Sequence, residues 1–324
     1  MRMSELHKFI FNGLPVRGML VRLTDSWQEI LKRRQAAGGY PVEVMHLLGE
    51  MTAAGALMQS NIKFNGALVL QIFGDGPVKL AVAEVQPDLS LRATATVTGV
   101  VDHGSTLSQL VNVNNEGRCA ITLDPKDKFP GQQAYQGVVP LFGDSREKIE
   151  NISEVLEHYM LQSEQLDTKL ILAADGKVAA GLLIQRLPVK GQGNLEGQSD
   201  RDANEDEIGK NEDYKRISIL ASTLKREELL TLDVDTILHR LFWEEPHTRF
   251  EPLAPSFACS CSRERVSNML RGLGTDEIES IIAERGSVGV TCEFCGASYD
   301  FDPVDAAQIF TDAGKQVPPS GTVQ

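Results

Sequence analysis

Four of the five cysteines in this chain lie near its carboxyl end, in two close pairs. Cys259 and Cys261 form a C-x-C pair, Cys292 and Cys295 form a C-x-x-C pair, and residues 262–291 separate the two. Two short pairs with a helix-sized gap between them are typical of a tetrahedral zinc site with four thiolate ligands. The spacing therefore predicts a zinc site. The first pair departs from the usual C-x-x-C because it is one residue shorter.

The stretch around these cysteines, residues 256–303, offers few apolar residues for a core. Domains this small often need a metal or a disulfide to be stable. Thiolate zinc contributes roughly 10–16 kcal/mol in small peptides, so we expect this module to unfold if zinc leaves. The predicted elements are a helix capped by Ser262 and ending at Gly272, a helix capped by Thr275 and ending at Gly286, and a hairpin of Val288–Thr291 with Tyr299–Phe301.

Two interpretations of the cysteines stay open. In the first, zinc is a permanent structural ion, as in most closed four-cysteine sites. In the second, the site is a redox switch, because oxidants attack thiolates and zinc keeps all four sulfurs in that form. A bridge between Cys259 and Cys261 would be strained, since residues two apart in an extended chain lie near the upper Cα separation of a disulfide. Four cysteines allow three pairings, and pairing within each pair needs no long-range contact.

The composition indicates an acidic globular protein of two or more domains. The chain has 324 residues, of which 42% are apolar and 24% charged, and its formal net charge is −13. That charge argues against binding to nucleic acids and to anionic membranes. No apolar run reaches the ~18 residues of a membrane span, and the first residues lack the apolar segment of a secretory signal. We therefore expect a cytoplasmic protein whose cysteines are thiols or metal-bound thiolates.

Residues 1–188 predict an N-terminal α+β domain, in which helices and strands form layers without regular βαβ repeats. Apolar residues recur with a 3.6-residue period in its helices and alternate in its strands. In chain order, the predicted elements are a helix with a capping box at Ser26–Glu29, a helix starting at Pro41, strands at Leu68–Ile72, Leu80–Ala83 and Leu89–Val97, a helix with a capping box at Asp144 and Glu147, and a hairpin of Lys169–Ala173 with Val178–Arg186.

Residues 189–255 predict a linker. Its first part, Lys190–Lys215, is rich in Gly, Asn and acidic residues, which favours a mobile loop. Two short amphipathic helices follow, one around Ile217–Leu224 and one from Asp235 to Phe242. Helices of this length are marginal in water, so each must pack against a neighbour, and the folded zinc module is one candidate. The zinc-binding module, residues 256–303, and a tail, residues 304–324, complete the predicted organisation.

Two other features receive structural interpretations. Cys119 lies in a strand-like run and is predicted to be a small buried apolar residue rather than a redox partner. Gly74 and Gly76 lack the third glycine and the helix start of a dinucleotide-binding loop, so a hairpin turn is expected.

Two other functions remain as alternatives. A thiol oxidoreductase would need a helix that opens at the first cysteine of the C-x-x-C pair, and Gly296 with the strand-like segment after it leaves little room for one. No hydrolase or metalloprotease motif is present, so we do not expect an enzyme. A zinc-ribbon protein that binds nucleic acid would need basic residues around the cysteines. Acidic neighbours offset the arginines available there, which are Arg263, Arg265, Arg271 and Arg285.

Short blocks along nearly the whole chain form a specific combination with the two cysteine pairs. These blocks are Val16–Gly18, Leu20–Leu23, Ser26–Trp27, His46–Glu50, Gly74–Pro77, Ile121–Pro125, Tyr135–Leu141, Ser163–Leu166, Ala180–Pro188 and Leu238–Phe242.

With these blocks, the chain resembles the bacterial redox-regulated 33-kilodalton heat-shock chaperones, the 33 kDa chaperonin family. The resemblance implies a cytoplasmic, ATP-independent holdase that binds unfolded client proteins. It implies an inactive reduced form with one zinc ion on Cys259, Cys261, Cys292 and Cys295. It further implies that oxidation joins Cys259 to Cys261 and Cys292 to Cys295, releases zinc, unfolds the linker and yields active homodimers. The stretch Lys190–Lys215 departs from the family because it is longer and more acidic.

Overall fold

The computed structural model describes residues 3–35, 38–127, 133–143, 145–187 and 212–311. The chain divides into two compact units, Met1–Ala258 and Cys259–Gln324. Both units mix helices and strands, so the predicted α+β class is confirmed. Among the described residues, no helix combines the length and the apolar composition that crossing a membrane would require.

The strands and helices fall in the following order. The strands are β1 (Glu5–Phe11), β2 (Val16–Leu23), β3 (Gly66–Phe73), β4 (Val78–Val85), β5 (Ser90–Val97), β6 (Arg118–Pro125), β7 (Tyr135–Pro140), β8 (Thr168–Ala174), β9 (Ala179–Arg186), β10 (His247–Arg249), β11 (Ser256–Phe257), β12 (Val288–Thr291) and β13 (Ser298–Phe301). The helices are α1 (Asp25–Gln35), α2 (Val42–Asn61), α3 (Leu107–Val111), α4 (Ile152–Glu164), α5 (212–222), α6 (Arg226–Thr231), α7 (Val234–Phe242), α8 (Arg263–Leu273), α9 (Thr275–Arg285) and α10 (Pro303–Thr311).

Two sheets build the first unit. The five-stranded sheet has the order β10-β1-β2-β9-β8 and is antiparallel throughout. The six-stranded sheet has the order β11-β5-β4-β3-β6-β7, in which β11 runs parallel to β5 and all other pairs are antiparallel. Strands from distant parts of the sequence therefore complete an edge of each sheet.

Helix α2 lies in the main core and contacts strands of both sheets. Because it is covered on several sides, it is apolar around most of its circumference. Gly49 lets α2 lie close to β8 and α1, since a Cβ built at Gly49 would lie 2.4 Å from the Ala174 Cβ and 3.0 Å from the Trp27 ring. Trp27 is itself buried and donates its indole N–H to the Asp175 carbonyl at 2.8 Å. The packing of α2 thus joins α1, the β8–β9 turn and the sheets into one core.

The opposite face of the five-stranded sheet carries a second apolar cluster, which we call the linker-covered cluster. Helices α5, α6 and α7 lie over this face. The rings of Phe11 and Phe242 meet edge to face at 5.0 Å, and Phe9 lies 6.2 Å from Phe242. The sheet contributes Phe9, Phe11, Val16, Leu20, Ala173, Ala180, Leu182 and Ile184, and the helices and the turns joining them contribute Ile217, Ala221, Leu224, Leu229, Val234, Ile237, Leu238, Leu241 and Phe242.

Many predicted elements are confirmed. Helix α2 starts directly after Pro41, and the strand pair β3–β4 encloses the predicted turn at Gly74–Pro77. Strand β5 buries Leu91, Ala93 and Ala95 on one face, as the alternation predicted. The predicted hairpin around Asp175 is formed by β8 and β9.

The turn at Gly74–Pro77 also has an anchoring role. The Asp75 carboxylate accepts backbone N–H bonds from Val113, Asn114 and Glu116 at 2.6–2.9 Å. These bonds fix the loop that follows α3 against the turn, which supports a structural role for this segment.

Other predictions are wrong at helix starts. Helix α1 already includes Asp25, so Ser26 is not its cap; the Ser26 hydroxyl instead contacts that of Ser4 at 2.8 Å. Helix α4 starts at Ile152, after Glu147 and Ile149, while Asp144 lies outside the described residues. At the start of α1, a residue distant in sequence, Ser4, thus contacts the polar group that the local pattern had assigned to a cap.

The linker is more structured than its composition suggested. Residues 212–215, predicted as part of a loop, are helical in α5, and α6 was not predicted at all. The linker and the first residues after it also contain two short strands that were not predicted: β10 joins the five-stranded sheet and β11 joins the six-stranded sheet. The rest of the predicted acidic loop, up to residue 211, lies outside the described residues.

A half-buried carboxyl group should make the stability of the first unit depend on pH. Burial raises the pKa of Glu50 to about 7, although Arg226 at 3.3 Å opposes the shift. Folding therefore favours the neutral form of this carboxyl. Its contribution to stability is fully present below the unfolded pKa of ~4.5 and is lost as pH rises through the folded pKa of ~7.

We expect the thermal midpoint of the wild-type protein, measured relative to Glu50→Gln, to rise as pH is lowered from about 8 to about 5. The corresponding difference in the free energy of unfolding should change by no more than ~1.4 kcal/mol per pH unit. Gln provides the matched side chain that cannot titrate. A difference between the two proteins that stays constant over this range would contradict the prediction.

Candidate metal centre

The second unit surrounds the cysteines with a small fold. Helices α8 and α9 pack with the β12–β13 hairpin and with α10. Helix α10 was not predicted, because most of it lies in the segment expected to be a tail. The Ser262 hydroxyl caps α8 by accepting the Arg265 N–H at 3.2 Å, as predicted. Thr275 is already helical, and Gly274 is the N-cap of α9, so that predicted cap is wrong by one residue. Gly286 ends α9 in the left-handed region with φ +81°, as predicted.

The apolar core of the second unit is thin. It contains far fewer buried residues than the main core of the first unit. Because so little apolar area is buried, the unit needs a further source of stability. The buried members are Val266, Leu270, Ile278, Val288, Phe301, Ala306 and Ile309.

Arginine side chains tie the elements of this unit together. Arg263 stacks over the Phe301 ring at 4.3 Å and pairs with Asp305 of α10 at 2.6 Å. Arg271 donates to the Ile309 carbonyl near the end of α10 at 2.9 Å. These two cations are engaged in the fold itself, which weakens the case for a basic surface that binds nucleic acid.

The C-x-C pair lies directly before α8. The Arg265 guanidinium donates to the Ser260 carbonyl at 2.9 Å, which fixes the residue between the two cysteines. Cys259 and Cys261 are half-buried. The helix start thus holds both thiols of this pair beside the hairpin.

The C-x-x-C pair occupies the turn between β12 and β13. The Cys292 N–H donates to the Ala297 carbonyl at 2.9 Å, and the Gly296 N–H donates to the Cys292 carbonyl at 2.8 Å. Gly296 has φ +71°, a conformation that glycine adopts without strain. The turn leads into β13 and not into a helix, so it lacks the helical setting expected of a thiol oxidoreductase.

The two pairs converge on one point. The ligand atoms of Cys259, Cys261, Cys292 and Cys295 all lie within 4.8 Å of one another, and among the described residues no other group of three or more His, Cys, Asp or Glu side chains does so. The Cys261 and Cys295 sulfurs are 3.3 Å apart, and those of Cys259 and Cys292 are 3.7 Å apart. Tetrahedral thiolate zinc with Zn–S bonds of ~2.3 Å requires sulfurs about 3.8 Å apart, so the four cysteines can hold a metal ion.

The environment of the thiols is uneven. Burial would raise the pKa of Cys261, but hydrogen bonds from Tyr299 and the other cysteines lower it to about 7. Burial raises the pKa of Cys295 to about 12. Burial also raises the pKa of Cys292, although backbone N–H groups of Cys295 and Phe294 oppose the shift. A bound cation would favour the thiolate at all four positions.

Tyr299 was missed as a member of this site. Its hydroxyl donates to the Cys261 sulfur at 3.2 Å, and this bond raises the pKa of Tyr299 to about 12. The residue pairs with Val290 across the hairpin. A sequence signal existed, because a strand next to a C-x-x-C turn must place some side chains beside the metal ligands.

Cys119 does not take part in the site. It lies fully buried on β6 of the first unit, and burial raises its pKa to about 12. It is therefore a small core residue, as predicted, and offers a control for the chemistry of the other four thiols.

A two-unit α+β fold whose smaller unit gathers four cysteines around one point defines a class of protein, the two-unit proteins with a candidate four-cysteine metal site. The family model for the Hsp33 protein matches residues 4–302 of this chain. The chain is 46% identical over 308 residues to the 33 kDa chaperonin of Chromobacterium violaceum, covering 95% of this chain and 94% of that protein. It is 43% identical over 309 residues to the 33 kDa chaperonin of Methylobacillus flagellatus, covering 95% and 94%.

The crystal structure of the 33 kDa chaperonin from Thermotoga maritima has the same fold. The TM-score is 0.74 at 20% sequence identity, and the match covers 98% of this chain and 100% of that one. The chain therefore belongs to the Hsp33 family, and it is a molecular chaperone.

Metal binding can be tested on the full chain. We expect one zinc or cobalt(II) ion per chain, loss of tight binding in Cys261→Ser, and unchanged binding in Cys119→Ala, because only the former removes a converging sulfur. Chelation should destabilise the second unit by roughly 10 kcal/mol, enough to unfold α8 and α9. Titration with cobalt and hydrogen exchange of α8 and α9 would measure both effects. Slow exchange in these helices after metal removal would contradict the prediction.

Proposed function

We propose that this protein is a redox-regulated, ATP-independent holdase that prevents the aggregation of unfolding and oxidatively damaged proteins. Each of four segments has a separate role. Residues 1–188 form the client-binding core, residues 189–255 the linker, residues 256–303 the zinc-binding redox module and residues 304–324 the tail. The reduced form, with one zinc ion on the four cysteines, is inactive. The observation that carries the proposal is an apolar sheet face covered, in the described part of the chain, by three helices of the linker.

Oxidation would act on the four sulfurs. Two thiolates and one peroxide molecule give one disulfide and, with two protons from solvent, two water molecules. Two such steps oxidise Cys259 with Cys261 and Cys292 with Cys295, and Zn²⁺ leaves with its charge unchanged. In the folded module the sulfur separations of 3.3 and 3.7 Å are between a cysteine of one pair and a cysteine of the other. When the module unfolds, however, only cysteines that are close in sequence stay near each other. That persistence, together with the family resemblance, supports pairing within each pair.

Loss of zinc would remove most of the stability of the redox module. Its buried apolar cluster is small, and thiolate zinc in small folds contributes more than such a cluster can. The module would therefore unfold once its ligands are oxidised. The compact unit that starts at Cys259 follows β11 directly in the chain, so its unfolding would leave β11 continued by an unfolded segment.

The client-binding surface would come from the linker-covered cluster. Helix α6 has six residues and α7 has nine, and isolated helices below ~12–15 residues are marginal in water. Their departure would expose Phe9, Phe11 and Leu182 on the sheet as well as their own apolar faces. Exposed apolar surface of this kind captures unfolded chains, while the net charge of −13 keeps the complex in solution.

The remaining parts of the proposal concern partners and location. The oxidised protein acts as a homodimer, as the resemblance implies, and its partners are unfolded or partly folded proteins. The acidic charge disfavours nucleic acid and membrane surfaces. A cytoplasmic location fits thiols that are kept reduced until an oxidant appears. No step of this function turns over a substrate.

The proposal predicts a linked set of changes on oxidation. Peroxide with mild heat should release one zinc ion per chain, consume four thiols, raise the binding of a hydrophobic dye and suppress the aggregation of a thermally unfolding client. Zinc release, thiol counting and light scattering on the same sample would measure these changes. Cys119→Ala should behave as the wild type, because its thiol is fully buried in the core of the first unit.

A preparation that lost zinc and thiols but failed to suppress aggregation would contradict the holdase function. A preparation equally active in its reduced, zinc-bound form would contradict the redox control.

A further inference from the structure

Helix α6 is joined to the five-stranded sheet by arginine contacts that run in both directions. From the sheet, the guanidinium of Arg22 on β2 donates to the Leu229 carbonyl and to the Leu230 carbonyl, the latter at 3.0 Å. From the helix, Arg226 donates to the Ala174 carbonyl at the end of β8. The sheet thus supplies a cation to backbone carbonyls of α6, and α6 supplies a cation to a backbone carbonyl of the sheet.

The Arg22 contact satisfies groups that a short helix leaves open. The last carbonyls of a helix have no partner within the helix, and together they form the negative end of its dipole. Arg22 reaches two of them near the end of α6. Only 4% of Arg22 is exposed, so its charge is held in a place where water contributes little. Removing α6 would take these acceptors from a buried cation, which opposes partial opening.

The Arg226 contact fixes the other end of α6. Its guanidinium also lies 3.3 Å from the Glu50 carboxylate on α2. Arg226 therefore connects the first turn of α6 to two elements of the core, β8 and α2. With Arg22 at the far end, both ends of a six-residue helix are held.

Apolar packing holds α6 less firmly than it holds α7. Leu229 is the one residue of α6 that is fully buried, whereas α7 buries Val234, Ile237, Leu238, Leu241 and Phe242. Apolar burial is also non-directional, so a single leucine cannot fix the helix register. The polar contacts of α6 consequently carry a larger share of its docking.

We propose that Arg22 and Arg226 are positioning residues that hold α6 on the sheet and set the threshold at which the linker-covered cluster opens to clients. This inference rests on the holdase function proposed above and adds how its closed state is maintained. None of these arginine contacts involves a cysteine. Weakening the arginine contacts should therefore open the linker while the thiols stay reduced and zinc stays bound.

The test compares Arg226→Gln with Lys225→Gln in the reduced, zinc-loaded full chain. Both changes remove one positive charge from the start of α6, but Lys225 is exposed, and its backbone N–H keeps its bond to Glu228 at 2.9 Å. Hydrogen bonds from charged donors contribute enough that Arg226→Gln should raise the open population of α6 on the order of tenfold. Hydrogen exchange of the Leu229 and Leu232 amides, which bond within the helix turn, reports this opening.

A second variant guards against loss of folding. Arg22→Lys keeps the buried charge but cannot reach two carbonyls with the geometry of a guanidinium, so it should also speed exchange in α6. Zinc and thiol counts equal to the wild type would show that the redox module is intact in each variant. Reduced Arg226→Gln should then suppress client aggregation without oxidant, and Lys225→Gln should not.

The outcomes separate this inference from the function it rests on. Equal exchange of α6 in Arg226→Gln and Lys225→Gln overturns the positioning role, whatever the chaperone assay shows. Faster exchange without activity in reduced Arg226→Gln, beside an active oxidised wild type, overturns the threshold role. An inactive oxidised wild type overturns the holdase function, while the exchange comparison still decides whether the arginines position α6.

Discussion

Burial of the five-stranded sheet on both of its faces is the constraint on which the first unit depends. One face packs on α2 and belongs to the main core, and the other packs under α5, α6 and α7. A sheet with two apolar faces cannot leave either one in water without the risk of association. The chain meets this requirement with a long helix on one side and short helices on the other. The two sides therefore differ in how easily they can be uncovered.

The second unit reaches stability by another route. Its buried cluster is small, and its four sulfurs lie close enough to bind one ion. The free energy of such a unit is concentrated at a chemical site, whereas that of the first unit is spread over many apolar contacts. Under the proposed function, an oxidant that attacks sulfur would therefore unfold one unit and leave the core of the other intact. This difference would convert a chemical signal into a conformational change.

The parts of the structure that sequence predicted are those set by local pattern. The 3.6-residue period fixed α2, alternation fixed β5, and the spacing of two cysteine pairs marked Cys259, Cys261, Cys292 and Cys295 as one site. The first hairpin, β1–β2, was missed, and so were β10 and β11. The last two are very short, and they exist because they pair with strands far away in sequence, β1 and β5. No local window contains that information.

The same limit applies to side chains whose role depends on a distant partner. Arg22 follows valine on a buried strand, and in sequence it is one more charged residue; its acceptors are more than 200 positions away. Tyr299 became part of the metal site only through the hairpin that carries it to Cys261. The residues that hold a cover in place are therefore harder to find than those that bind the metal. Ligands must cluster in type and spacing, while a charged hydrogen bond needs only one donor and whatever carbonyl the fold presents. Such contacts suit the opening proposed for this protein, because they fix the register of a short helix without adding apolar area that would resist release.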